Sequence, residues 1–266
     1  MTLVALGFAS ALYLFAAFLG FTGRELGLAR RSIPFVLGLA ALLHGLGFYG
    51  LHLQQPPLSL SSFPAALALI GWGVVLAWLS LGARRPGLRS TGPWVAAIAA
   101  GFTLPAELGL QLAAPRADPA AAAAVAVWSH AHVLLGSAGF SLLALASLAG
   151  LGYLAKERGL KQRRSWQHGL PALETLDQAE HVTLALGFAL LTLGVATGFA
   201  WSVSQELDPW NRHTLFLSAA WAVYLLPVGA RVLRQQRGPW PARGVVLGFL
   251  FLVCSYVGIH VIGAGS

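Results

Sequence analysis

The eight histidines of this chain are the residues with the clearest capacity for chemistry. A neutral imidazole ring is the commonest metal ligand in proteins and a usual axial ligand of haem iron. His130 and His132 are two residues apart, so on a helix they point about 200° away from each other and do not face one haem together. His44 and His52 are eight residues apart and point only about 80° from each other, at different depths.

Two further groups of residues invite a functional interpretation. A polar segment, residues 200–212, holds Trp201, Asp208, Trp210 and Arg212 between two apolar runs. Its tryptophans are typical of an interfacial aromatic belt, but they would also suit a planar macrocycle whose carboxylates pair with the arginine.

Glu107 lies inside an apolar run with Gln111 one helical turn away, and an ionisable residue in such a run is either neutralised by a polar neighbour or functional.

The composition determines what kind of element positions these residues. Apolar residues make up 57% of the chain and charged residues only 10%, against about 25% in soluble domains. The apolar runs lack the alternation of barrel strands, so helices are the credible way to satisfy their backbone in lipid. We therefore predict an all-α, polytopic transmembrane bundle that forms a single integral membrane domain over residues 1–266. The expected helices are 2–22, 33–53, 63–82, 93–113, 126–155, 181–203, 213–233 and 241–263.

The basic residues predict the orientation of this bundle. Fifteen of the 17 lysines and arginines fall in the first, third, fifth and seventh connecting segments, and only Arg116 and Arg212 fall in the others. Positively charged loops remain in the cytoplasm, so both termini are expected outside. The net charge of +8 is then a property of membrane topology and not of nucleic-acid binding. With this orientation, His44 lies mid-membrane and five histidines cluster near the outer face: His52, His130, His132, His213 and His260.

Other features narrow the function. Cys254 is the one cysteine, so the chain has no Cys-x-x-Cys pair and is not a thiol–disulfide membrane carrier. No basic residue precedes the first apolar stretch, which favours a retained membrane helix over a cleaved signal. The longest cytoplasmic segment, Lys156 to Glu180, is expected to be a solvated connector with a short surface helix after Pro171.

The outer segment and its flanking histidines resemble the CcsA-like cytochrome c assembly family, which includes the HemX-type haem-biosynthesis effectors. Members are polytopic and carry a tryptophan-rich outer loop with an Asp-Pro pair. Trp201, Asp208 and Trp210 fall where that loop is expected. His132, followed by valine, resembles the first outer histidine of the family, and His260 resembles the second.

The resemblance covers about residues 33–263. The Leu-Leu-His-Gly-Leu-Gly-Phe stretch around His44 is similar to an early helix of the family, and residues 221–224 are similar to the helix after the loop. Two departures stand out. The loop continues from Asp-Pro into Trp-Asn-Arg-His where the family has Lys-Glu-Thr-Trp, and residues 224–231 lack the histidine that assembly members usually carry. The chain is therefore closer to the shorter HemX-like branch.

The resemblance implies a haem-handling protein in a bacterial-type cytoplasmic (inner) membrane. It would have no enzymatic activity of its own or would be part of a cytochrome c synthase complex. Haem b would lie at the outer face with His132 and His260 as metal ligands, beside the Trp201 and Trp210 loop, and would be presented to apocytochrome c. A partner subunit supplying an extracytoplasmic domain is expected, whereas nucleic acid is not.

Two alternatives belong to other functional classes. A HemX-like regulator of tetrapyrrole synthesis would act without haem through the Lys156–Glu180 segment. A transporter or membrane b-type cytochrome would instead use Glu107 and His44. A haem absorption band separates the leading hypothesis from the regulatory one.

Overall fold

The computed structural model describes residues 2–22, 27–53, 62–112, 127–162, 169–204 and 212–263, and these residues are almost entirely helical. Within them, eight helices are long and apolar enough to cross a membrane. This confirms the predicted all-α, multi-pass architecture. The helices are α1 (Thr2–Thr22), α2 (Gly27–His52), α3 (Phe63–Arg84), α4 (Gly92–Leu112), α5 (Val127–Lys161), α6 (Leu173–Ser204), α7 (Arg212–Val228) and α8 (Pro239–Gly263).

Three helices are clearly longer than the sequence predicts, and the first of them, α2, already begins at Gly27. α5 continues to Lys161 and α6 begins at Leu173, so the expected surface helix after Pro171 is the first part of α6 itself. The extension of α5 is rich in good helix formers, and Lys161 pairs with Glu157 one turn earlier at 2.8 Å. The amine of Lys156 donates hydrogen bonds to the carbonyls of Leu170 and Pro171, at 2.9 and 2.6 Å, which fixes the start of α6 against α5.

The chain divides into two compact units, residues 1–133 and 134–266. In the first unit, α1 packs against α2 and α4, and α3 packs against α4. Small residues permit these close contacts: a Cβ atom on Gly47 would lie 2.7 Å from the Leu6 side chain, and one on Gly71 would lie 3.1 Å from the Ala99 carbonyl oxygen. Close approach through glycine is the usual way that helices pack in lipid, where apolar surface alone gives little preference.

The second unit contains α6, α7, α8 and most of α5. α5 and α6 touch through their backbones, because a Cβ atom on Gly139 would lie 2.6 Å from the Leu191 nitrogen. α7 is fastened to α6 by Trp221, whose ring stacks on Phe188 at 5.8 Å and whose indole N–H donates to the Thr192 hydroxyl at 2.9 Å. Such hydrogen bonds between helices add to packing in the membrane.

Candidate functional site

His44 occupies the interior of the first unit. The residue is 1% exposed and lies about two turns before the end of α2. The Phe48 ring stacks on it, with centroids 5.2 Å apart and planes 12° apart, and the Trp72 ring of α3 lies 6.1 Å away. The neighbouring Gly45 makes room for this aromatic wall, because a Cβ atom there would lie 3.1 Å from the Trp72 ring. The His-Gly pair of the sequence thus places an imidazole and an indole side by side.

The two nitrogens of His44 have different environments. Nδ1 lies 3.3 Å from the hydroxyl oxygen of Tyr13 on α1, whereas buried Nε2 has no hydrogen-bond partner among the described residues. When Nδ1–H donates to the Tyr13 oxygen, Nε2 carries a free lone pair. This is the arrangement of metal-ligating histidines, which donate their other ring N–H to an oriented acceptor. An unpaired buried nitrogen is costly, so a ligand at Nε2 would be favourable.

The predicted outer residues lie near the corresponding helix ends. His130 and His132 are partly exposed in the first two turns of α5, and Trp201 is partly exposed in the last turn of α6. The backbone of His260 lies in the last turn of α8, and Arg212 is the first residue of α7. Asp208 and Trp210 lie outside the described residues. The placement of His132 and His260 on one haem stays a prediction.

Glu107 faces α1 from the second half of α4. Its Oε1 accepts a hydrogen bond from the Gln111 amide at 3.4 Å, which confirms that these two side chains share a face. A Cβ atom on Gly7 would lie 2.8 Å from the same oxygen, so the carboxyl group lies directly against the α1 backbone. The contact with Gln111 fits a carboxyl group paired with a polar neighbour.

The sequence interpretation missed a buried cluster of charges in the second unit. The sequence analysis counted Arg231 among the basic residues of the seventh connecting segment, but it lies in a π-helical turn, Gly229–Leu233, that extends α7. Its side chain is 3% exposed and pairs with the Asp177 carboxylate of α6 at 2.5 Å and with Glu180 at 3.5 Å. It also donates to the backbone carbonyls of Asp177 at 2.7 Å and Gln236 at 2.9 Å. The available signal was the three-residue spacing of Asp177 and Glu180, which puts both on one helical face.

Comparison with known proteins bears on the whole of the second unit. A family model described as "Cytochrome C assembly protein" matches residues 57–266. A cytochrome c biogenesis protein CcsA from Guillardia theta is 24% identical over 77% of this chain and 74% of its own length. Those of Pyropia yezoensis and Synechococcus sp. (strain CC9902) are 22% and 25% identical, over 77% and 80% of this chain and 76% and 78% of their own lengths. The matched region includes both predicted outer ligands, the tryptophan segment and the charge cluster, whereas His44 precedes it.

Proposed function

The chain belongs to the cytochrome c assembly protein family, and we propose that it binds haem in the membrane and holds it for attachment to apocytochrome c. The observation that carries this proposal is the buried imidazole of His44, whose Nε2 is unpartnered among the described residues while Tyr13 orients Nδ1. A planar cofactor at Nε2 would lie near the Phe48 and Trp72 rings, which are already beside this imidazole. His44 would hold haem b within the first unit.

At the outer face, a haem would be held by the imidazoles of His132 and His260. The tryptophans of the outer segment, Trp201 and Trp210, would cover the macrocycle. Arg212 would pair with a propionate and Asp208 would help to shape the loop. Bound haem supplies the vinyl groups to which the thiols of an apocytochrome add, and the protein ligates, orients and shields it. We further propose an inner-membrane location with both termini outside, and a partner subunit that supplies an extracytoplasmic domain.

The regulatory alternative receives less support from the described structure. It relied on the segment from Lys156 to Glu180 as a surface for a cytoplasmic partner. Asp177 and Glu180 are buried and paired with Arg231, so two of the acidic residues at the end of this segment are used within the protein. Arg158, Lys161 and Glu174 are exposed, and a partner would still bind through them.

Absorbance spectroscopy of the detergent-purified protein, before and after dithionite, tests the proposal. We expect a Soret band that sharpens on reduction, and we expect His44→Ala to shift or weaken it. The matched control is His52→Ala, because His52 is an exposed residue at the end of the same helix. Added imidazole should partly restore the spectrum of His44→Ala, since it replaces the missing ligand. A wild-type protein without haem absorbance would refute the function, and identical spectra for both variants would remove His44 from it.

A further inference from the structure

The charge cluster of the second unit has no role in the proposed haem site. It joins the beginning of α6 to the end of α7 through one guanidinium group and two carboxyl groups. Burying ionic groups carries a large desolvation cost, and well-packed apolar side chains of similar volume often give equal or greater stability. The arrangement therefore calls for a reason beyond stability.

The charges in the cluster do not balance within its buried part. Arg231 is the only buried cation that pairs with Asp177 and Glu180 among the described residues, and the second arginine, Arg237, is 74% exposed and lies 3.8 Å from Asp177. Glu180 is the weakly held member. Its Oε1 accepts no hydrogen bond from a described residue, although Arg231 is 3.5 Å away.

The surroundings of Glu180 make a neutral form accessible. Its other oxygen faces Gly150 of α5, where a Cβ atom would lie 3.4 Å from it and 3.3 Å from the Ala242 carbonyl oxygen of α8. Tyr153 and Glu157 on α5 add titratable groups near the cluster, and of these the Glu157 carboxylate is paired with Lys161. A buried carboxyl that shares its single buried cation with a second carboxylate is readily protonated.

The turn after α7 depends on this cluster. Gln235 has a φ of 52°, a left-handed conformation that is unfavourable for a residue with a side chain. The turn is closed by the bond from the Gln236 nitrogen to the Ala230 carbonyl at 2.9 Å and by the bond from the Arg231 guanidinium to the Gln236 carbonyl. Arg231 therefore holds both α6 and the strained turn.

α7 contacts α6 at two points along its length, and we call this two-point attachment a lever. Trp221 contacts Phe188 and Thr192 near the middle of α7, while Arg231 contacts α6 at the end. Arg212, the last residue of the polar segment 200–212, lies about 14 Å from Trp221 along α7, on the side away from Arg231. If the contact at Arg231 loosens, Trp221 still joins α7 to α6, and α7 can move about this point together with α8, against which it packs.

We propose that Asp177, Glu180 and Arg231 form a proton-sensitive latch that sets the position of α7. With Glu180 ionised, the cluster retains both Arg231 and Arg237 and closes the turn. When Glu180 takes up a proton from solvent on the side of the basic loops, one carboxylate, Asp177, is left for two arginines. The exposed Arg237 is then held less tightly, and the turn that joins it to Arg231 loosens. The resulting movement at the Arg212 end would regulate haem retention, and this consequence rests on the proposed function.

A nitroxide on Gln236 reports on the latch without depending on haem. Gln236 has an exposed side chain, and Cys254→Ser removes the native cysteine. In liposomes, we expect the label to be immobile at about pH 8 and mobile at about pH 5, the range in which buried carboxyl groups titrate. Glu180→Gln should give a mobile label at every pH. Glu180→Asp should keep the transition, and so should the control Glu174→Gln, an exposed residue of the same helix.

The outcomes separate the latch from the proposed function. A label that has the same mobility at every pH in the wild type, or that keeps its transition in Glu180→Gln, overturns the latch. Haem retention measured in the same samples tests the lever: we expect a several-fold loss in Glu180→Gln and none in Glu174→Gln. If the label shows a pH transition but haem retention is unchanged in Glu180→Gln, the lever is overturned. A wild type without haem overturns the proposed function, and the nitroxide result alone then decides on the latch.

Discussion

Replacing Arg231 with glutamine should strongly destabilise the second unit. The substitution removes the buried cation that faces Asp177 and Glu180 and the donors to two backbone carbonyls. Breaking a buried ion pair by removing one partner typically costs about 3–5 kcal/mol, because the other charge stays buried. We expect the full effect here, since two carboxyl groups lose their cation and one of them is only 2% exposed.

Thermal unfolding in detergent, followed by fluorescence-detected gel filtration, measures this effect. Each kcal/mol shifts the Tm of a chain of this size by about 2–4 °C, so Arg231→Gln should lower it by roughly 10 °C. The control is Arg243→Gln, which removes an exposed arginine from the following helix and should change the Tm by no more than about 1 °C.

The double variant Arg231→Gln with Glu180→Gln gives the sign of the electrostatic contribution. If the cost comes from uncompensated carboxylates, the second substitution should restore part of the lost stability, since it removes one of them. A Tm for Arg231→Gln within about 2 °C of the wild type would refute the reasoning for the cluster. A double variant less stable than the single one would show that packing, and not charge, holds α7 to α6.

Three further predictions follow from packing, topology and ligation. Gly139→Leu should disrupt folding, because its Cβ would lie 2.6 Å from the backbone of α6. The control Gly101→Leu should be tolerated, since no atom lies within 4 Å of a Cβ there, and the yields of monodisperse protein compare the two variants. A fluorescent reporter that matures only in the cytoplasm should stay dark when fused to the C-terminus, and bright cells would reverse the orientation. His132→Ala and His260→Ala should each weaken haem retention, partly rescued by imidazole, while His130→Ala should not; identical absorbance spectra for all three would leave the outer site without ligands.

The sequence alone was enough to predict the membrane helices. A run of about 20 apolar residues can satisfy its backbone in lipid only as a helix, so hydropathy, a local property, determines their number and approximate position. Their ends were less predictable. Lys156–Lys161 was read as loop because it is charged, yet its residues favour helix and continue α5 beyond the apolar run. The family resemblance, carried by the outer segment and its histidines, was confirmed by the match over residues 57–266.

Contacts between helices were decided by tertiary structure. That His44 lies near the middle of an apolar run could be counted from the sequence, but its bond to Tyr13, 31 residues away, depends on which faces of α1 and α2 meet. Arg231 looked like one of several loop arginines. Only the packing of the helices shows that it bonds to Asp177 on α6, which is 54 residues earlier in the chain. Hydropathy records how strongly each segment prefers lipid and not which neighbour it selects. That selection depends on close backbone approach at small residues and on the pairing of buried polar groups, and both appear only when the helices are assembled.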